Sequence, residues 1–140
     1  MKNKTYFISF LLSLLFTSLL YSQADNYKLP GFQTSPYFGE QVLTINYPNE
    51  IKIHINAASS QNFDSQKPVL IALFALPNGN TTEQTIGKIL EDGDDWHFDI
   101  QHIGAQTRFL RNHYVDTNFV TVYLENDQKS LLTWKAKYTN

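Results

Sequence analysis

Between Pro68 and the turn Pro77-Asn78-Gly79-Asn80 the chain reads VLIALFAL, an unbroken apolar run from Val69 to Leu76. A bilayer span needs about 20 apolar residues, and the run is far shorter. It has no polar stripe of the kind an amphipathic helix shows, so it reads as a strand buried on both faces, the sort found inside parallel sheets. Beyond the turn, Thr81 with Gln84 and Asn80 with Glu83 both have capping-box spacing, so a helix should open there. The expected order is strand, tight loop, helix. Such junctions gather backbone N–H groups beside the positive end of a helix, which makes them the first place to look for a bound anion or a reacting carbonyl.

The flanking sequence extends this into an α/β domain over residues 41–140, preceded by an arm at 25–40. The arm is polar, with Pro30, Gly31, Pro36 and Gly39, and holds no period. Gln41 to Tyr47 alternates; so do Ile51, Ile53 and Ile55 against Lys52, His54 and Asn56, and the short link at Pro48-Asn49-Glu50 makes the two an antiparallel hairpin. His54 falls on the polar face as a solvated residue. Ala57 to Lys67 is a loop by composition. A short helix is expected from Thr82 to Leu90, then a polar break at Glu91 to Asp95. Ile100, Ile103, Thr107, Leu110 and Tyr114 recur at helical spacing and predict about four turns. Gly104 inside that helix marks either close packing against the sheet or simple tolerance. Asn118 to Glu125 is β-branched and aromatic, a second inner strand, and Ser130 to Tyr138 starts a further helix. The fold class is therefore α/β, an N-terminal β-hairpin followed by a right-handed βαβ unit with its two strands parallel.

Residues 1–24 have the layout of a secretory signal peptide: Lys2 and Lys4, an apolar stretch from Tyr6 to Leu20, and small residues at Ser22-Gln23-Ala24. The stretch is too short and too soon followed by polar residues for a lasting membrane anchor, so the mature chain is expected to be exported to a periplasm or the medium. There is no cysteine among the 140 residues, which excludes disulfides, thiol nucleophiles and thiolate metal sites. A net charge of −2 without a basic cluster in residues 25–140 argues against nucleic acid as a partner.

Three segments carry a resemblance: LPNGNTTEQTIGK at Leu76 to Lys88, WHFDIQHIGAQTRFLR at Trp96 to Arg111, and VTVYLENDQKSLLTWK at Val120 to Lys135. Together with the order of elements they resemble the N-terminal part of secreted, uncharacterised α/β-hydrolase-like proteins of the Bacteroidetes type. The resemblance implies the first half of an α/β-hydrolase sheet, so that residues 41–140 form a partial domain whose partner is the missing C-terminal half of the same fold. It also implies that backbone donors near Asn78, Gly79 and Asn80 occupy the oxyanion-hole position. The same turn has a plainer reading, as a connection only. The family's nucleophile sits in a G-x-S-x-G elbow. None of Ser35, Ser59, Ser60, Ser65 and Ser130 stands between glycines, so no catalytic residue is assigned and the chain is not expected to be a competent hydrolase alone.

Asp94, Asp95, His97, Asp99 and His102 cluster within a short stretch. His97, Asp99 and His102 supply the donor types of a zinc-like site, whereas the aspartates are also what a helix start recruits for capping. No metal or other cofactor is assigned. Trp96 and Phe98 are read as core residues or as an aromatic wall. Arg108, Arg111, Lys135 and Lys137 are read as solvated cations. Two further classes stay beside the hydrolase segment: a small secreted binding module for a glycan or peptide, and a structural protein with no ligand.

Overall fold

A computed structural model describes residues 26–48, 50–77 and 79–138. The signal-peptide assignment at 1–24 lies outside the described residues. The chain forms β1 (Gln33–Thr34), β2 (Gln41–Tyr47), β3 (Ile51–Ala57), β4 (Val69–Ala75), α1 (Thr82–Ile86), a 3₁₀ turn (Trp96–Asp99), α2 (Ile103–His113), β5 (Asn118–Asn126) and α3 (Leu131–Ala136). The five strands make one mixed sheet in the order β1-β2-β3-β5-β4. As the alternation predicts, β2 and β3 pair antiparallel, Leu43 opposite Ile55 and Ile45 opposite Ile53. β4 and β5 pair parallel, from Val69 opposite Asn118 to Ala75 opposite Leu124, as the βαβ reading requires.

The inner position predicted for β4 is not what forms. β5 enters between the hairpin and β4, pairing antiparallel with β3 on its other side, and leaves β4 at the edge. Val69, Ile71 and Leu73 are 51%, 58% and 71% exposed. The apolar run reported correctly that a strand forms here; it carried no information on which neighbours would cover it.

Register sorts the strand side chains onto two faces. On one lie Lys52, His54, Asn56, Thr121, Tyr123 and Glu125, and here α2 packs, with the hydroxyls of Thr107 and Thr121 2.9 Å apart and both residues buried. α1 packs beside it. Thr82, Thr85, Thr107 and Thr121 are buried, as is Tyr123, so the buried side chains here are rich in threonine. On the other face lie Leu43, Ile45, Ile53, Ile55, Val120, Val122, Leu124, Ile71 and Leu73. One end of that apolar face is covered by Phe63 and by the arm through Leu29 and Phe32, around buried Ala57 and Val120. The arm is held by Gln41, whose Oε1 accepts from the Leu29 N–H at 2.7 Å and whose Nε2 donates to the carbonyls of Tyr27 and Ala58. It is also less irregular than its composition suggests, since Gln33 and Thr34 pair with Val42 and Gln41.

Two helix boundaries differ from expectation. The predicted helix to Leu90 stops at Ile86, because Gly87 adopts φ +82° and caps α1 by donating to the Glu83 carbonyl. The predicted four-turn helix from Ile100 starts late: Asp95 caps a separate 3₁₀ turn at Trp96–Asp99, His102 takes a left-handed φ of 50°, and only then does α2 begin. Gly104 is required for contact between helices rather than with the sheet. A Cβ there would lie 2.9 Å from Ile86 Cγ2 and 3.1 Å from the Ile86 carbonyl oxygen.

Candidate functional site

The junction after β4 is built as a clamp. Of the two predicted capping boxes, Thr81 with Gln84 forms: the Thr81 hydroxyl accepts from the Gln84 N–H at 3.2 Å, and the Gln84 side chain accepts from the Thr81 N–H at 2.9 Å. Thr82 donates both its N–H and its hydroxyl to one oxygen of Glu125, each at 2.7 Å. Lys52 Nζ stands 2.8 Å from that oxygen and 3.0 Å from Glu83. Partial burial disfavours the ionised Glu125, but Lys52 and the Thr82 donors outweigh it and hold the carboxyl below its ordinary value. Burial likewise opposes the charge on Lys52, and Glu125 and Glu83 together raise it above its ordinary value. The positive end of α1 thus already faces a carboxylate of the chain itself.

Asn78 lies outside the described residues. The Gly79 N–H donates to the Lys129 carbonyl at 2.8 Å, and the Asn80 N–H to the Pro77 carbonyl at 3.4 Å. An oxyanion at this loop therefore has to displace the Lys129 carbonyl from Gly79, and Asn80 beside it is buried.

His97, Asp99 and His102 do not converge. His97 Nδ1 lies 2.5 Å from Asp95, and His102 Nε2 lies 2.7 Å from Asp99. Among the described residues no group of three or more His, Cys, Asp or Glu is placed to hold a metal ion. The aspartates serve the local backbone: Asp95 accepts from the His97 N–H, and Asp94 accepts from the Glu91 N–H and pairs with Lys88 at 2.7 Å. Trp96 is 65% exposed and stacks on His97, so it is not a core residue. His54 is half-buried rather than solvated, with Nδ1 2.9 Å from the Thr44 hydroxyl, and burial pushes its imidazole below its ordinary value.

The cations of α2 are not surface charges. Arg111 is 11% exposed at its side chain and donates to the Phe119 carbonyl, Glu40, and both the carbonyl and Oδ1 of Asn56. Arg108 lies with its guanidinium 3.8 Å from the Phe38 ring centre. The two arginines border a cavity of about 520 Å³ between the C-terminal half of α2, the arm and the loop before β4, whose rim includes Lys67, Asn62, Asn112 and Tyr114. Nothing in the local pattern foretold this site. Glu40 and Arg111 are 71 residues apart, and only the pairing of β3 with β5 brings them together.

Comparison with known proteins finds no matching family model, no matching curated protein and no matching solved structure.

Proposed function

We propose that this chain is the N-terminal segment of a secreted α/β-hydrolase-like protein of the ester and acyl class, not catalytically competent alone, whose sheet is completed across β4. One observation carries the reading: β4 is an apolar strand whose outer edge is open among the described residues. In a parallel pair the N–H and C=O of a residue point the same way and alternate along the strand. The Asn118 N–H donates to the Pro68 carbonyl and the Leu76 N–H to the Leu124 carbonyl, so Leu70, Ala72 and Phe74 turn toward β5. Val69, Ile71, Leu73 and Ala75 direct their backbone groups outward. An uncharged edge of this length invites a further strand. The apolar face bearing Ile71, Leu73, Val122 and Leu124 adds to the case, because α1 and α2 cover the opposite face.

In the complete protein the loop at Asn78, Gly79 and Asn80 supplies the backbone donors for an oxyanion, with Gly79 exchanging its Lys129 partner for the developing charge. The nucleophile elbow belongs to the remainder of the fold. Amide hydrogen exchange and p-nitrophenyl acetate hydrolysis by the full chain test this together. Fast exchange at Val69, Ile71, Leu73 and Ala75 without turnover is the expected result; protection of those amides, or turnover by the chain alone, overturns it. A second reading, a secreted binding module without catalysis, is favoured by the cavity beside Arg108.

A further inference from the structure

We infer that the cavity bordered by Arg108 and Lys67 binds a small carboxylated saccharide of the uronic acid type. The inference rests on the binding reading of this cavity and is independent of how the sheet is completed. At about 520 Å³ the cavity falls within the ~300–1,000 Å³ of small-molecule sites.

Charge selects an anion. The chain as a whole carries −2, yet Arg108, Arg111 and Lys67 line this cavity against the single carboxylate of Glu40. Arg111 and Glu40 neutralise each other at 2.7 Å. Arg108 does not share that bond: its nearest Glu40 oxygen is 3.7 Å away, and the guanidinium forms no hydrogen bond among the described residues. The guanidinium lies 3.8 Å from the Phe38 ring centre and keeps its donors unspent, and such a fork can take a carboxylate through two parallel hydrogen bonds. Lys67 donates to the Val115 carbonyl at 2.9 Å and has Asp64 at 3.8 Å, which offsets much of its charge. The surplus is close to that of one cation, which suits a carboxylate monoanion better than a phosphate dianion.

The neutral rim selects hydroxyl groups. The side-chain amides of Asn62 and Asn112 form no hydrogen bond among the described residues, and each offers donors and an acceptor. Tyr114, 46% exposed, gives an apolar ring against which the C–H face of a sugar can lie.

The test is calorimetric titration of the full chain at low salt with D-galacturonate, D-galactose and galactose 6-phosphate. Galacturonate is expected to bind about tenfold or more tightly than galactose, as a paired carboxylate implies, and Arg108→Gln to remove most of that preference. Asn112→Asp, at an exposed position, serves as a second variant: it removes the amide donors for either sugar and adds a like charge, so it should weaken galacturonate by a larger factor than galactose. Equal affinity for the acid and the neutral sugar, a preference for the phosphate, a preference that survives Arg108→Gln, or no galacturonate binding overturns the inference. Amide exchange at β4, measured on the same samples, reports separately on completion of the sheet.

Discussion

One oxygen of Glu125 accepts two hydrogen bonds from Thr82, from its N–H and from its hydroxyl, both at 2.7 Å. The contact ties the carboxyl half of β5 to the first turn of α1 across 43 residues of sequence, and it places a negative charge where the helix has unsatisfied donors. Lys52 from β3 closes the group, so three elements meet at one carboxylate.

This arrangement predicts an acid-sensitive fold. Glu125 has a folded-state value below its ordinary 4.5, so its contribution is complete above that pH and is lost as the pH falls through 4.5 toward the depressed value. Lys52 is shifted upward, so its contribution is intact below 10.5 and fails only in stronger alkali. Glu125→Gln keeps an acceptor for Thr82 but removes the charge. It should cost about 1–2 kcal/mol at pH 7, the scale of a charged hydrogen bond, and flatten the decline in Tm between about pH 5 and pH 3. Thermal unfolding followed by circular dichroism across that range checks both. An unchanged slope in the variant would mean that other carboxylates govern acid unfolding.

Gly104→Ala separates helix propensity from packing. In an isolated helix the change is favourable by up to about 1 kcal/mol. Here the added methyl meets the Ile86 side chain at 2.9 Å and, at 3.1 Å, the Ile86 carbonyl oxygen, which is backbone and cannot turn aside. The variant should therefore lose about 1–3 kcal/mol, the usual cost of overpacking, in urea unfolding. A stabilised variant would show that α1 and α2 can move apart freely.

What the sequence disclosed and what it withheld divide along a physical line. Alternation in Ile51–Ile55 and its antiparallel partner, the capping pair Thr81–Gln84, and the β-branched run at Asn118 are local signals, and each element starts where it was expected, although α1 ends early at Ile86. The rank of β4 in the sheet was not legible, because a continuous apolar run looks the same at an edge as in the middle. His102 broke the long amphipathic pattern through a left-handed backbone that side-chain periodicity does not encode. The cavity residues were hidden for a related reason. Arg111 follows a helical period as a polar residue, and only the tertiary fold reveals that its position is covered by Glu40 and Asn56.

Arg111 should be among the most sensitive positions in the chain. Arg111→Met leaves the Glu40 carboxylate, 8% exposed, without its principal partner, and loss of one member of a buried pair costs about 3–5 kcal/mol. Arg111→Lys should recover little, because one ammonium cannot reach the Phe119 carbonyl, Glu40 and Asn56 together. Removing both charges in Arg111→Met with Glu40→Gln should be milder than the sum of the two single changes. Denaturant unfolding of the four proteins completes the cycle, and additive losses would argue against a coupled pair.

The edge of β4 gives the last prediction. Leu73 is 71% exposed, points from the apolar face, and turns its backbone outward, so the chain by itself should associate through this edge at high concentration. A lysine at an edge position is the common natural remedy, since a second strand cannot add without burying its charge. Leu73→Lys should thus lower self-association by about tenfold or more in light scattering while changing unfolding free energy by no more than about 0.5 kcal/mol, as for other exposed sites. Val120→Lys, on the same face but 7% exposed inside the sheet, should instead unfold the chain. If Leu73→Lys destabilises as Val120→Lys does, β4 is covered in solution and the sheet already has its neighbour. If it leaves association unchanged, the contact between copies lies elsewhere, and the open edge is not what draws a partner.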